Sequence, residues 1–265
     1  MSRAAAENKD HNSFFHDLSR AKSRVLLLDY DGTVAPFSAD RQSAFPYPNV
    51  SELLRRIMLS CGTRLIFVSG RAAHEVPPLL GLDLAAEIWG THGCERIHAD
   101  GRYEQVQCTD EALQALARAE IQLERGGLAD HLEIKLASVA VHWRGLTPSK
   151  GLTIRTKAYR TLEPLATQRD LVLAEFEEGI EIRLRSANKG TIVRTLLSEL
   201  EGNIPIAYLG DDSTDEEAFR ALNLRGLTVL VRAKYRFTAA QMWLKPPDEL
   251  VQFLKDWIRQ CRGDR

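Results

Sequence analysis

Two aspartates stand two residues apart directly behind an apolar run. In VLLLDYDGTVAP, Asp29 and Asp31 follow Val25, Leu26, Leu27 and Leu28. Residues i and i+2 of an extended segment point the same way. The spacing therefore predicts two carboxylates facing one spot at the carboxyl end of a buried strand, where open α/β sheets bind their ligands. Gly32 permits a sharp exit and Thr33 a local hydrogen bond. A plain Asp- and Gly-rich turn has the same composition, but turn chemistry alone does not demand this order behind four apolar residues. A second acidic set, Asp211, Asp212 and Asp215, lies in GDDSTDEEAF after the apolar run IPIAYL. Three carboxylates at one strand end repel one another unless a cation joins them. Mg²⁺ takes one or two carboxylates with waters and phosphate oxygens. The dipole of the following helix accounts for Glu216 and Glu217; it accounts less well for Asp211, which precedes that helix.

Two elements suit an anion. Ser69 and Gly70 close the run LIFV and offer a hydroxyl and backbone N–H groups to an oxyanion. Lys189 opens a helical stretch, where a cation gains nothing from the helix dipole. An anion or carboxylates in front of it would explain its position, although taken alone it also reads as a solvated lysine.

The elements that must carry these residues alternate strand and helix. RVLLLD (24–29) and RLIFV (64–68) read as buried strands. Between them NVSELLRRIMLSC (49–61) has helical spacing, with Leu53, Leu54, Ile57 and Met58 on one face, Asn49 or Ser51 as cap and Gly62 after its end. NKGTIVRTLLSEL (188–200), IPIAYL (204–209), STDEEAFRALN (213–223, capped by Ser213 or Thr214), TVLVR (228–232) and DELVQFLKDWIRQ (248–260) repeat that grammar. The middle differs. An amphipathic helix (109–126), an alternating stretch (132–144), a further helix (149–165) and a hairpin of LVLAEF with IEIRL (171–184) suggest an α+β module inserted into an α/β domain. FFHDLSRA (14–21) reads as a short helix covering the sheet edge.

The 265 residues carry 35 Lys+Arg and 36 Asp+Glu, a net charge of −1, with 44% hydrophobic and 27% charged residues. That balance is a folded chain's and excludes a long disordered one. It gives no overall field to gather nucleic acid or an anionic membrane. No apolar run reaches the ~18–20 residues that span a bilayer. With no apolar leader at the start and no C-x-x-C pair among Cys61, Cys94, Cys108 and Cys261, a reduced, cytoplasmic protein is expected. There is no G-x-x-x-x-G-K-[ST] for a nucleotide and no H-E-x-x-H for zinc.

In order along the chain, DYDGT, Ser69-Gly70, Lys189 and GDDSTD resemble the haloacid-dehalogenase-like phosphohydrolases. LLLDYDGTVAPF, VSGR (68–71), HGCE (92–95), Lys135 with HWR (142–144), EIR (181–183), NKG and GDDSTDEEAF together look like trehalose-6-phosphate phosphatases. The likeness covers about 24–102 and 181–260, and more thinly what lies between. The sequence departs from that family at Trp143, where the family has Tyr, and at Leu184, where it has Pro. The resemblance implies an α/β fold: an arm (1–23), a Rossmann-like core with a parallel sheet (24–102 and 185–265) and an inserted α+β cap of the C2B type (103–184). It implies a Mg²⁺-dependent sugar-phosphate phosphatase, a monomer with no nucleic-acid or membrane partner, that hydrolyses trehalose 6-phosphate. Asp29 would be the nucleophile and Asp31 the general acid and base. Ser69, Gly70 and Lys189 would hold the phosphate. Asp29, the backbone carbonyl of Asp31 and Asp211 would hold the metal, with Thr33 nearby and Asp212 or Asp215 orienting the shell. Candidate sugar contacts are Glu133 or Lys135, His142, Arg144, Glu178, Glu181 and Arg183, with Arg71, His92 and Glu95 lining the core side. Each of these alone also reads as an ordinary polar residue, and His92 as a structural histidine. A capped phosphatase for sucrose 6-phosphate or a glycosyl-3-phosphoglycerate, or a non-catalytic regulatory protein, are the alternatives.

Overall fold

The structure, a computed structural model, describes residues 13–38, 40–83, 85–105, 109–167, 170–176 and 178–262. The chain divides into two compact units, Met1–Glu104 with Lys189–Arg265, and Gln105–Asn188. The first unit begins with α1 (helical over 13–20), β1 (Arg24–Asp29), α2 (Val50–Ser60), β2 (Thr63–Val68), α3 (Val76–Leu80), β3 (Glu87–Gly90), β4 (Glu95–Ile97) and β5 (Tyr103–Gln105). The inserted unit holds α4 (Asp110–Arg125), β6 (Leu132–Lys135), β7 (Ser138–His142), α5 (Pro148–Leu162), β8 (Leu171–Phe176) and β9 (Gly179–Leu184). The first unit then resumes with α6 (Lys189–Glu199), β10 (Ile206–Gly210), α7 (Glu216–Leu222), β11 (Leu227–Val231), β12 (Met242–Leu244) and α8 (Asp248–Arg262).

Among the described residues, the sheet of the first unit runs β12-β11-β10-β1-β2-β3-β4-β5. β12 through β3 pair in parallel, and β4 returns antiparallel to β3. From β1 the chain moves outward through β2 to β3, and later returns to β1's other side with β10. The strand order reverses there, so the crevice beyond the carboxyl ends of β1 and β10 is the place for a ligand. The strands can be apolar at every position because both faces are covered. Leu26, Leu28, Leu65 and Phe67 pack with Leu54 and Ile57 of α2 and with Phe253, Leu254 and Trp257 of α8. Val25, Leu27, Ile66 and Val68 pack with Ile192, Val193 and Leu196 of α6 and Phe219 and Leu222 of α7. Each such side chain, fully buried, contributes about 1.5–3 kcal/mol relative to exposure.

The inserted unit has a four-stranded antiparallel sheet, β6-β7-β9-β8. Its register sorts the side chains. Leu132, Ile134, Val139, Val141, Ile180 and Ile182 share one face, the side on which α4 and α5 pack. Glu133, Lys135, Ser138, His142, Glu181 and Arg183 share the other.

Several local expectations need correction. Asn49 holds the N-cap position of α2 with a left-handed backbone and makes no side-chain cap bond. Asp212, not Ser213 or Thr214, caps the turn ahead of α7, accepting from the Ser213 N–H. α1 does not cover a sheet edge: Phe15 packs on Phe253 of α8 and Phe14 on Trp257, while the buried Arg24 donates to the Leu18 carbonyl. The unit boundaries lie at 104/105 and 188/189, a few residues beyond the 102/103 and 184/185 expected. The reason is hydrogen bonding. Tyr103 donates to Glu95 and Glu104 pairs with His98, which hold that segment to the core. Arg185 N–H bonds the Asp170 carbonyl and Arg183 donates to the Ala187 carbonyl, which hold 185–188 to the inserted unit.

Trp257 ties these layers together, fully buried and donating its indole N–H to Thr63 Oγ1 at 3.1 Å. Trp257→Ala is expected to cost about 3–5 kcal/mol in urea unfolding, with the loss visible first as proteolytic release of α1. A change under about 1 kcal/mol would show that α8 is not part of the core.

Candidate active site

Three loops meet at the reversal of strand order, each leaving the carboxyl end of a strand. β1 delivers Asp29 on its last residue, β2 leads into Ser69, and β10 ends at Gly210 just before Asp211. α6 brings Lys189 from across the gap. Lys189 is almost fully buried, and its Nζ lies 2.6 Å from Asp29 Oδ1 and 2.7 Å from Asp215 Oδ1. The sequence asked what would hold a lysine at a helix start, and two carboxylates answer. Burial opposes its charge, but Asp215 and Asp29 outweigh it and keep the ammonium protonated. Thr33 Oγ1 donates to the other oxygen of Asp29 at 3.2 Å.

Asp29, Asp211 and Asp215 are all buried, and one oxygen of each lies within 4.8 Å of the others. Burial, then the charge of Asp215, lifts Asp29 from 3.8 to about 7 even against Lys189. Burial, with Asp29 and Asp215 beside it, pushes Asp211 well above the ordinary carboxylate range. Lys189 lies within this cluster of hard oxygen donors and Arg232 lies 3.8 Å from Asp211 Oδ2; three buried carboxylates against them fit a small divalent cation. Gly32 makes room for it. Its φ is +89°, and a Cβ there would fall 2.2 Å from Asp211 Oδ2.

The acids divide their work unevenly. Asp212 turns its carboxylate to Ser213 N–H at 2.6 Å and stays outside the cluster. Asp215 takes Lys189 and the Tyr208 hydroxyl (2.6 Å) on Oδ1, and the N–H groups of Asp211 and Asp212 (both 3.0 Å) on Oδ2. Tyr208 was not apparent as a site residue from the sequence. Its signal is a hydroxyl in an otherwise apolar strand three residues before Asp211, since a buried tyrosine needs a partner. Arg236 fixes the same loop from outside, donating to the Asp212 carbonyl at 2.6 Å.

Asp31 is held differently. Arg71 grips it with Nε to Oδ2 at 2.7 Å and Nη2 to Oδ1 at 2.6 Å. The third arm of Arg71 donates to the Arg41 carbonyl at 2.7 Å, and its guanidinium lies over the Tyr30 ring. Arg71, expected as a substrate contact, is thus committed to Asp31 in this structure. Ser69 accepts the Arg71 N–H on Oγ at 3.0 Å, which leaves its own O–H hydrogen to donate. Gly70 lies beneath His92; a Cβ on Gly70 would come 2.7 Å from the ring's Nε2. His92 reaches that place through two successive residues in left-handed conformation, Thr91 (φ 48°) and His92 (φ 53°). Glu95, also expected against substrate, is a brace: it accepts from Thr91 Oγ1, the Ala73 N–H and Tyr103 Oη.

In the inserted unit, the candidate sugar contacts form their own pairs. Glu133 bridges Lys135 (3.4 Å) and His142 (2.7 Å), whose ring stacks edge-on against Phe176. Glu181 and Arg183 pair at 3.2 Å, both buried, and Arg144 lies 3.5 Å from Glu178 between half-exposed side chains. Glu177, within the expected hairpin turn, lies outside the described residues, as does Cys108; Cys61, Cys94 and Cys261 are in no disulfide. Among the described residues no helix is long and apolar enough to cross a membrane.

Residues 27–241 match the family model described as trehalose-phosphatase. A trehalose-phosphate phosphatase of Mycobacterium tuberculosis (strain H37Rv) is 28% identical over 261 residues, which cover 91% of this chain and 63% of the relative. The chain therefore spans less than two thirds of that relative's length. Among solved structures, the C-terminal domain of a Candida albicans trehalose-6-phosphate phosphatase superposes with a TM-score of 0.79 at 21% identity, over 93% of this chain and 96% of that one. A haloacid dehalogenase-like hydrolase from Bacillus subtilis superposes with a TM-score of 0.61 at 17% identity, over 88% and 98%. The fold is thus the haloacid-dehalogenase-like α/β fold with an inserted α+β unit.

The raised carboxylates make stability depend on pH and cation together. Asp29 binds its proton more tightly folded than unfolded, so its contribution is complete below about pH 4 and is lost as pH rises through about 7. With chelator present, the melting temperature should therefore fall across that window, and Asp211 adds in the same direction. Added Mg²⁺ should restore it, with an increment that grows from pH 5 to pH 8 in differential scanning fluorimetry. An increment that does not depend on pH would separate cation binding from these carboxylates.

Proposed function

This chain belongs to the trehalose-phosphatase family, and on that premise we propose that it is a phosphomonoesterase converting trehalose 6-phosphate to trehalose and inorganic phosphate through a phosphorylated Asp29. The observation that carries the reading is the pairing of a buried carboxylate with a buried lysine where the strand order reverses. A carboxylate is a nucleophile that needs no base. Asp29 attacks phosphorus, a carboxylate O–P bond forms, and the bond from phosphorus to the sugar oxygen breaks. The leaving alkoxide takes a proton from Asp31. For that transfer Asp31 must leave the two N–H groups of Arg71 and carry a proton, so the Arg71 pair describes its resting state. In the second half, water attacks phosphorus, Asp31 takes the water's proton, and the O–P bond to Asp29 breaks to release phosphate.

Lys189 and the Ser69 hydroxyl, with the Gly70 N–H, hold the phosphoryl oxygens as their charge redistributes. The carboxylates of Asp29 and Asp211 and the backbone carbonyl of Asp31 would hold Mg²⁺, whose positive charge offsets the repulsion between Asp29 and the phosphate. The polar face of the inserted sheet, with Glu133, Lys135, His142, Glu181 and Arg183, is assigned the choice of sugar; a different glycosyl phosphate would change these contacts and leave the core chemistry as it is. We read the protein as a cytoplasmic enzyme acting on a small-molecule sugar phosphate.

Phosphate release with Mg²⁺ is expected from trehalose 6-phosphate in preference to sucrose 6-phosphate, glucosyl-3-phosphoglycerate and glucose 6-phosphate. Asp29→Asn should lower kcat by at least about 10³-fold, the order seen when a covalent catalyst is removed. His142→Ala should raise KM for the preferred sugar phosphate while leaving hydrolysis of an aryl phosphate nearly unchanged. Preference for another member of the panel would move the substrate and keep the mechanism. No release from any of them by folded, Mg²⁺-loaded protein would sink the phosphatase reading.

A further inference from the structure

Three carboxylates lie close enough to share one cation, but they are not equally free to do so. An ionised carboxylate offers about four lone-pair directions. Asp29 accepts Thr33 on one oxygen and Lys189 on the other. Asp215 accepts two donors on each oxygen: Lys189 at 2.7 Å and Tyr208 at 2.6 Å on Oδ1, and two backbone N–H groups at an ordinary 3.0 Å on Oδ2. The backbone N–H groups cannot be withdrawn without unmaking the loop after β10. Lys189 must stay to face Asp29. The one donor whose presence is a matter of a single oxygen atom is the Tyr208 hydroxyl. That ring is fully buried, packed edge-on against Phe219 at 5.7 Å, so it has no alternative partner in solvent.

We propose that Tyr208 is a positioning residue that saturates Asp215, keeping it as the anchor of Lys189 and out of the ligand set of the divalent cation. The inference rests on the phosphatase reading above. The cation is then held by Asp29 and Asp211, and stays weakly enough ligated by protein that substrate phosphate oxygens complete its shell. Without the hydroxyl, Asp215 Oδ1 keeps only Lys189 and has a lone pair with no protein donor, which a turn of the carboxylate offers to the cluster. It becomes a third carboxylate ligand, and Lys189 loses its fixed place beside Asp29.

Tyr208→Phe removes one oxygen and keeps the ring, so the strand and its packing are retained, which circular dichroism checks. The result expected has two opposite signs. Titration with Mn²⁺ alone by calorimetry, with no substrate present, should show binding tightened on the order of tenfold, as added ligand charge does. Turnover with Mg²⁺ should fall by roughly tenfold or more, the cost of one hydrogen bond to a charged group. Tyr208→Phe combined with Asp215→Asn should return Mn²⁺ affinity toward that of the unaltered chain. Should the double variant fail to fold, a crystal structure of Tyr208→Phe with Mn²⁺ decides the same point, by whether an Asp215 oxygen lies within about 2.3 Å of the ion, near the bonding distances of divalent cations to carboxylates. Weakened or unchanged Mn²⁺ binding in Tyr208→Phe overturns the proposal, since a general loss of packing lowers affinity and turnover together. Tightening that persists without the Asp215 carboxylate overturns it as well. The cation titration needs no substrate, so an inactive unaltered chain would sink the phosphatase reading by itself and leave the Tyr208 result to stand or fall on its own.

Discussion

A single ammonium group, buried between two carboxylates, is the constraint from which the catalytic unit is organised. Removing Lys189 and its partners from water is costly, and their attraction offsets that cost only when the geometry is tight and every remaining lone pair has a donor. The contacts at 2.6 and 2.7 Å meet the first requirement. Thr33, Tyr208 and two backbone N–H groups meet the second. Burial, and after it the negative charge the three acids still share, is why Asp29 and Asp211 hold their protons so far above the ordinary range. On the proposed reading, that remaining negative charge would make the place receptive to a divalent cation and, through it, to a dianionic ester.

Most of the core could be read from the sequence because its chemistry follows a backbone rule. A buried parallel strand is apolar throughout, so the first polar residues after it announce themselves: Asp29, Ser69 and Asp211 each stand at such an exit. Lys189 was legible because a cation at a helix start contradicts the helix dipole. What was hidden depends on side chains meeting across long sequence distances. Nothing local says that Arg71 grips Asp31, that Glu95 spends its oxygens on Thr91, Ala73 and Tyr103, or that Asp212 caps while Asp215 anchors. The two acids differ by three positions in one run, and only the turn's geometry distinguishes them.

The inserted unit is the converse case. Its alternating pattern predicted a sheet with one polar face, and the register places Glu133, Lys135, His142, Glu181 and Arg183 on that face. The pattern does not say what the face is for, since strands with one polar side are ordinary in antiparallel sheets. The pairs it forms, Glu133 with Lys135 and His142, and Glu181 with Arg183, use the same groups that would meet a sugar's hydroxyls. Binding there would therefore exchange one set of polar partners for another, and selectivity would come from geometry more than from net attraction.

The place of β1 in the sheet also governs how the chain comes together. β1 pairs on one side with β2, about forty residues later, and on the other with β10, about 180 residues later. At ribosomal speeds of about 5–20 residues per second, the second edge of this apolar central strand waits roughly ten to forty seconds for its partner. Through that interval an unpaired strand edge, apolar from Val25 to Leu28, is open to any other chain that can extend it. The whole inserted unit emerges in the same interval, and its contacts are internal enough to form early. The order of synthesis thus delivers every residue of the inserted unit before the central sheet can close, and leaves an open strand edge on the half-built sheet until it does.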